Sequence, residues 1–316
     1  MSQRITKTAF VIALAFAGTA FAENLPVVAS FSILGDVAKQ IGGERVSVTS
    51  LVGPDQDAHA YQINSGDVKK IAAAKLVLLN GLGLEQADVI RAVQQSRVPY
   101  AEAAQGITPL KSEEEHEHHH DHDGHDHEHD HEHGHEHHHH DHGEYDPHVW
   151  NDPVLMQKYA ANVTAALTKA DPAGKAYYQA RLKNYSAELT KLDSYARQSF
   201  DAVPRDKRKV LTGHDAFNYM AKRYGITFLA PQGVSTEGEA SAKTVAAIIR
   251  QIKQQGIKAV FTENIKDGRM VRRIAQETGV KVGGTLYSDA LSKGAPAKTY
   301  ADMFRYNVRV LSDAMK

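Results

Sequence analysis

Residues Glu113 to Glu144 cannot belong to a packed core, and they divide the chain. The stretch holds 16 His, 13 Asp/Glu and three Gly, with no Lys, no Arg and no large apolar side chain. With nothing apolar to bury it cannot offset the entropy of ordering, so a disordered insert is expected here. Whatever folds must be built from the residues before and after it. The histidines are His116, His118, His119, His120, His122, His125, His127, His129, His131, His133, His135, His137, His138, His139, His140 and His142. Neutral imidazole binds zinc, copper and nickel, and the interleaved carboxylates add oxygen donors and favour the approach of a cation. Several interchangeable metal sites of modest affinity are expected, rather than one rigid site. A plain solvated acidic linker would not need 16 of the chain's 19 histidines within 27 residues.

On both sides of the insert, short apolar runs alternate with helical spacing. Before it, Pro26–Ser32, Val46–Val52 and Leu76–Gly81 read as buried strands. Helices are expected over Ile33–Ile41, Ser65–Ala73 and Glu85–Gln95. After it, strands are expected at Lys209–Thr212, Thr227–Ala230, Ala259–Thr262 and Lys281–Leu286. Helices are expected at Pro153–Lys169, Ala216–Tyr224, Ser241–Gln255 and Arg269–Thr278. Such alternation predicts an α/β chain whose parallel sheets are covered by helices on both faces. Between the halves, Asp171 to Ala202 carries Tyr178, Leu182, Tyr185, Leu189, Leu192 and Tyr195 at three- and four-residue spacing. Roughly 30 helical residues span about 45 Å, longer than a small lobe, so this segment reads as a rigid connector. The expected organisation is a leader at 1–22, a first lobe at 23–170 with the insert 113–144, a linking helix at 171–203 and a second lobe at 204–316.

Arg4 and Lys7, the short apolar stretch Ala9–Ala20 and the small-x-small triplet Ala20-Phe21-Ala22 read as a cleavable secretory signal. No cysteine follows, so the expectation is an unlipidated protein free in the periplasm. The absence of cysteine also removes disulfides and thiolate ligands, leaving nitrogen and oxygen donors for any metal. The net charge of −1 hides an asymmetry: outside the leader and the insert, 35 Lys/Arg face 25 Asp/Glu. That excess is spread out, with no basic patch interleaved with aromatics, so nucleic acid is not an expected partner. A monomer is expected.

Three histidines stand apart from the run. His59 follows a strand, His214 follows the first strand of the second half, and His148 precedes a helix. Asp289 follows the last strand. Ligands of open α/β sheets gather beyond the carboxyl ends of the strands. Three imidazoles and one carboxylate from both halves make an N3O donor set suited to zinc or manganese. Each histidine alone reads more readily as a bystander, and Asp289 as a helix cap; their joint placement is what points to a site.

The residues around these positions resemble a known family. Asp146-Pro147-His148-Val149-Trp150-Asn151-Asp152-Pro153 is similar to the D-P-H-x-W-x-D-P signature of the zinc/manganese-binding solute-binding proteins of ABC importers. Gly53–Tyr61, Gly213–Tyr219 and Leu286–Ser292 resemble the family's other ligand loops, and the likeness covers the chain beyond the leader. A His-rich insert just before the second ligand is a trait of its zinc members. Ala58 stands where a proline is usual, Gln62-Ile63-Asn64 replaces the usual Glu-Pro and its successor, and a cysteine pair of some zinc members is missing.

The resemblance implies two α/β lobes, each a small parallel sheet sandwiched by helices, bridged by one long rigid helix. The metal would lie between the lobes, on His59, His148, His214 and Asp289. It implies capture of Zn2+, taken free or from a zinc chaperone, and delivery to an inner-membrane ABC permease, with the His-rich run as an accessory scavenger. Mn2+ cargo in the same family and a periplasmic zinc buffer or metallochaperone are the alternatives. A zinc hydrolase is disfavoured, because four protein ligands leave no position for water and there is no H-E-x-x-H motif outside the His-rich run. Glu263, at a strand end, reads as a support behind a ligand rather than a general base.

Overall fold

The computed structural model describes residues 24–112 and 144–316. The expected leader lies outside the described residues, as does the His-rich insert apart from Glu144.

The first sheet is built from β1 (Leu25–Phe31), β2 (Val46–Val52), β3 (Leu76–Leu79) and β4 (Tyr100–Glu102), all parallel, in the order β2-β1-β3-β4. The second is built from β5 (Lys209–Leu211), β6 (Thr227–Leu229), β7 (Ala259–Glu263) and β8 (Lys281–Leu286), also parallel, in the equivalent order β6-β5-β7-β8. The strand alternation decides what each face touches. In β1 and β3, Val27, Ala29, Phe31, Leu76 and Leu78 enter a central core, while Val28, Val77 and Leu79 face outward. In β5 and β7, Val210, Ala259 and Phe261 point to the same central core, and Leu211 and Val260 face away.

Outer helices cover the far faces. These are α2 (Ser65–Ala73) and α3 (Ala87–Ser96) on the first sheet, and α7 (Ala242–Gln255) and α8 (Arg269–Thr278) on the second. The inner layer contains α1 (Ser32–Gly42), α4 (Leu155–Ala170), α6 (Asn218–Tyr224) and α9 (Tyr300–Met315). Through this layer runs α5 (Lys175–Asp201), which packs against α1 and α4 on one side and against α6 and α9 on the other. Its buried stripe, Tyr178, Tyr185, Leu189, Leu192, Ala196 and Phe200, is therefore shared by both halves. At 27 residues α5 is about 40 Å long. One central core then spans both sheets, so a wide hinge motion would have to expose apolar surface.

Three details differ from the sequence expectation. A 3-10 turn over Pro172–Gly174 precedes α5, because Pro172 and Gly174 do not sit well inside a helix. The short edge strand β4 and the C-terminal helix α9 were not anticipated. β4 offers three residues and little alternation. α9 carried a legible signal: Tyr300, Met303, Phe304, Val308, Leu311 and Met315 fall on one buried face, and Thr299 caps it by accepting from the Asp302 N–H.

Candidate metal centre

The carboxyl ends of the two sheets face each other, and the four expected residues meet there. His59 lies in the segment between β2 and α2, and His148 opens a 3-10 turn over Val149–Asn151. His214 follows β5 and Asp289 follows β8. All four are buried, and one donor atom from each lies within 4.8 Å of every other.

The spacing suits one cation. Nε2 of His59 is 3.2 Å from Nε2 of His148. Asp289 Oδ2 is 3.4 Å from Nε2 of His59 and 3.1 Å from Nε2 of His214, while its Oδ1 is 3.3 Å from Nε2 of His148. Four ligands placed tetrahedrally about 2.0–2.1 Å from a zinc ion stand about 3.3–3.4 Å apart. His214 Nε2 and both Asp289 oxygens are fully buried and have no hydrogen-bond partner outside this group of four. Each such orphan costs about 1–3 kcal/mol. Three of them aimed at one point are the pattern of a cation site.

Carboxylates behind two of the rings fix which nitrogen faces inward. Asp146 Oδ1 lies 2.7 Å from Nδ1 of His148, and Glu263 Oε2 lies 2.5 Å from Nδ1 of His214. Both rings thus turn Nε2 toward the centre, the usual way a ligating imidazole is oriented. Glu263 also accepts the backbone N–H groups of Gly213 and His214 at 2.7 and 3.0 Å, and the Ser288 hydroxyl at 2.8 Å. Glu263 thus sits behind the His214 ring. Trp150 is fully buried against the His148 ring, 5.1 Å between centroids, and donates Nε1–H to Ser288 O at 2.7 Å.

The charges balance through opposing effects. Burial lowers the His59 imidazole below its ordinary value, more than Asp289 raises it. Burial would do the same to His148, but the charges of Asp289 and Asp146 outweigh it and push the ring up to about 9. His214 is opposed by burial and raised well above the usual imidazole range by Glu263 and Asp289. Asp289 is penalised by burial, yet the neighbouring His214 and His148 hold it well below the ordinary carboxylate range.

Sequence reasoning assigned no role to Asp57 or Asp146, although a signal existed. Asp57-Ala58-His59 and Asp146-Pro147-His148 are the same Asp-x-His unit. In each, the aspartate Oδ1 accepts the histidine backbone N–H at 2.9 Å, an Asx turn that presents the ring. Asn80, after β3, was also missed; it donates to Pro147 O at 3.2 Å and accepts from Tyr159 OH at 3.0 Å, bracing the His148 turn.

The ends of the His-rich insert meet beside this site. Lys111 bridges Tyr145 antiparallel, Ser112 N–H donates to Glu144 O at 3.1 Å, and Asp146 N–H donates to Leu110 O at 2.9 Å. The insert's 16 histidines lie outside the described residues.

The zinc-uptake complex component A family, described as periplasmic, matches residues 27–314. The manganese-binding lipoprotein MntA of Bacillus subtilis is 32% identical over 310 residues, covering 95% of this chain and 92% of its own. The manganese ABC transporter substrate-binding lipoprotein PsaA of Streptococcus anginosus is 26% identical over 301 residues, 93% of this chain and 90% of its own. Among solved structures, the periplasmic zinc-binding protein TroA of Treponema pallidum matches with a TM-score of 0.80 at 28% identity, over 93% of this chain and 99% of that one. A Mn-bound periplasmic metal-binding protein of Candidatus Liberibacter asiaticus matches at 0.77 and 27%, over 93% and 100%.

The relatives correct one expectation. The sequence reading had an unlipidated protein free in the periplasm, but MntA and PsaA are named lipoproteins. Their names describe anchored proteins where the reading had a free one. The chain's own 316 residues include no cysteine thiol.

Proposed function

The chain belongs to the zinc-uptake complex component A family, metal-binding substrate-binding proteins of ABC importers and not enzymes, and from that premise we propose that it captures Zn2+ on His59, His148, His214 and Asp289 for delivery to a membrane permease. Zn2+ and Mn2+ are the cations of the family and its relatives. The observation that carries the site assignment is the convergence of four buried donors, three of whose atoms have no other partner. Zinc is favoured over manganese because three of the four donors are imidazole nitrogens. Manganese prefers oxygen donors in a six-coordinate shell.

The second reading, Mn2+ delivery through the same four residues, is favoured by the names of MntA and PsaA. The His-rich run supports zinc and adds a role of its own. Its weak sites would hold zinc close to His148, because the neck formed by Leu110–Ser112 and Glu144–Asp146 returns both ends of the run to that side of the molecule. On this proposal the residues before and after α5 act as two lobes that each supply half of the donor set, His59 and His148 against His214 and Asp289.

Competitive titration with Zn2+ and Mn2+ tests the cargo, on the full chain and on a version lacking 113–143. One tight site that prefers zinc in both, plus weaker sites lost with the run, is the expected result. A tight site that prefers manganese overturns the cargo. Loss of all tight binding with the run overturns the four-residue site. Cells carrying the shortened version should take up less zinc when it is scarce, and equal uptake would remove the scavenging role.

A further inference from the structure

The four donors are buried, so an ion leaves only when one of them moves. His148 is held from behind by Asp146 and His214 by Glu263, and Asp289 is fully buried. His59 differs. Its segment between β2 and α2 has no regular structure, Asp55, Gln56 and Ala60 on it are exposed, and His59 at 4% is the least buried of the four. His59 is thus the donor nearest the surface.

The segment is held from both halves: Gln86 Nε2 donates to His59 O from the first half, and two further clasps reach it from the second. Asp57 accepts the His59 backbone N–H on Oδ1 at 2.9 Å and the Thr236 hydroxyl on Oδ2 at 2.6 Å. Thr236 is buried at 2% exposure, and its carbonyl accepts Nζ of Lys266. Lys266 also donates to Gln232 Oε1 at 3.3 Å, and Gln232 pairs with His214 in a β-bridge. A polar chain thus joins two donors from opposite halves, His59 and His214, without passing through the ion. A second clasp sits two residues earlier. Asp55, in a left-handed conformation with φ +57°, donates its N–H to Leu291 O at 2.8 Å and accepts from Asn264 Nδ2 at 3.0 Å and Lys293 N at 3.2 Å. Asn264 donates as well to Ala290 O at 3.2 Å, next to Asp289.

We propose that the Asp57–Thr236 hydrogen bond is a latch that sets how fast the ion leaves, with Asp55–Asn264 as its companion; this rests on the four-residue site proposed above. Thr236 is not one of the four donors, and its hydroxyl donates to Asp57. Removing its hydroxyl leaves the donor set intact and weakens what must break before His59 can swing out. A hydrogen bond to a carboxylate is among the stronger polar contacts a segment can have. Its loss should therefore appear mainly in the rates, not in the equilibrium affinity.

The chain's only tryptophan, Trp150, lies against His148 and is placed to report on the buried site. The full chain is loaded with one equivalent of Zn2+ and mixed with excess chelator, and release is followed by Trp150 fluorescence. Thr236→Val should release zinc about tenfold faster with affinity within about threefold of the parent, while Thr236→Ser, which keeps the hydroxyl, releases at the parent rate. Asn264→Ala should also speed release, and keeps the test open should Thr236→Val fail to fold. Parent-like release from both Thr236→Val and Asn264→Ala overturns the latch. So does an affinity loss equal to the rate gain, which would mean that Thr236 only positions His59. A parent protein whose Trp150 signal ignores Zn2+ overturns the four-residue site itself, a result distinct from either.

Discussion

Glu263 Oε2 lies 2.5 Å from Nδ1 of His214, and the same carboxylate gathers two backbone N–H groups and the Ser288 hydroxyl. One side chain at the end of β7 thus fixes the residue after β5 and the residue before Asp289. Glu263→Gln keeps the shape but removes the charge that holds the His214 ring in its inward-facing form. Zinc affinity should fall roughly 10–100-fold, as is usual when the partner of a ligating histidine is lost. A Trp150 fluorescence titration reads this directly, and an unchanged dissociation constant would show that Glu263 has no part in tuning the site.

Zinc binding should expel protons. The imidazoles must be neutral to bind, yet without the ion His148 is pushed up to about 9 and His214 is also raised. Both therefore carry protons at pH 7, and about two leave as the dication enters, so the buried charge stays constant. Affinity should rise steeply with pH up to about 9 and fall in acid. Calorimetry in buffers of different ionisation enthalpy counts the protons, and a count near zero would contradict the charge balance described here.

The same shifts give the ion-free protein an unusual pH profile. A histidine whose folded pKa is raised contributes stability that is complete below its unfolded value of about 6.5. That contribution disappears as the pH rises through about 9 for His148. Urea midpoints of the ion-free protein should therefore decline between these limits, and zinc should reverse the trend. A midpoint that rises over this interval would contradict the direction assigned to His148.

Fold stability and the site should be separable at α2. Asn64 caps this helix by accepting from Gly66 N at 2.8 Å and Asp67 N at 3.2 Å, and Asp67 returns the contact to the Asn64 N–H at 3.2 Å. Asn64→Ala should cost about 0.5–2 kcal/mol in denaturant unfolding and leave zinc affinity unchanged. A large affinity loss would mean that the cap also positions the His59 segment.

Much of this was legible in the residues because each layer carries its own period. Val27, Val28 and Ala29 point alternately to two cores, and Tyr178, Tyr185, Leu189 and Leu192 keep one face of α5 buried along both halves. Three of the four candidate ligands stood out because 16 of 19 histidines lie in the run, leaving His59, His148 and His214 conspicuous at element ends. What was not legible depends on long-range meeting. Nothing in the local sequence pairs Asp57 with Thr236, 179 residues away, or Trp150 with Ser288, 138 residues away. β4 escaped because a three-residue edge strand has no pattern to read.

The site assignment is tested most directly by anomalous diffraction at the zinc absorption edge, from crystals grown with one equivalent of Zn2+. A single strong peak about 2.0–2.2 Å from Nε2 of His59, His148 and His214 and from the Asp289 carboxylate is expected. Tight zinc binding in solution with no peak among these four side chains would place the ion elsewhere and contradict the assignment.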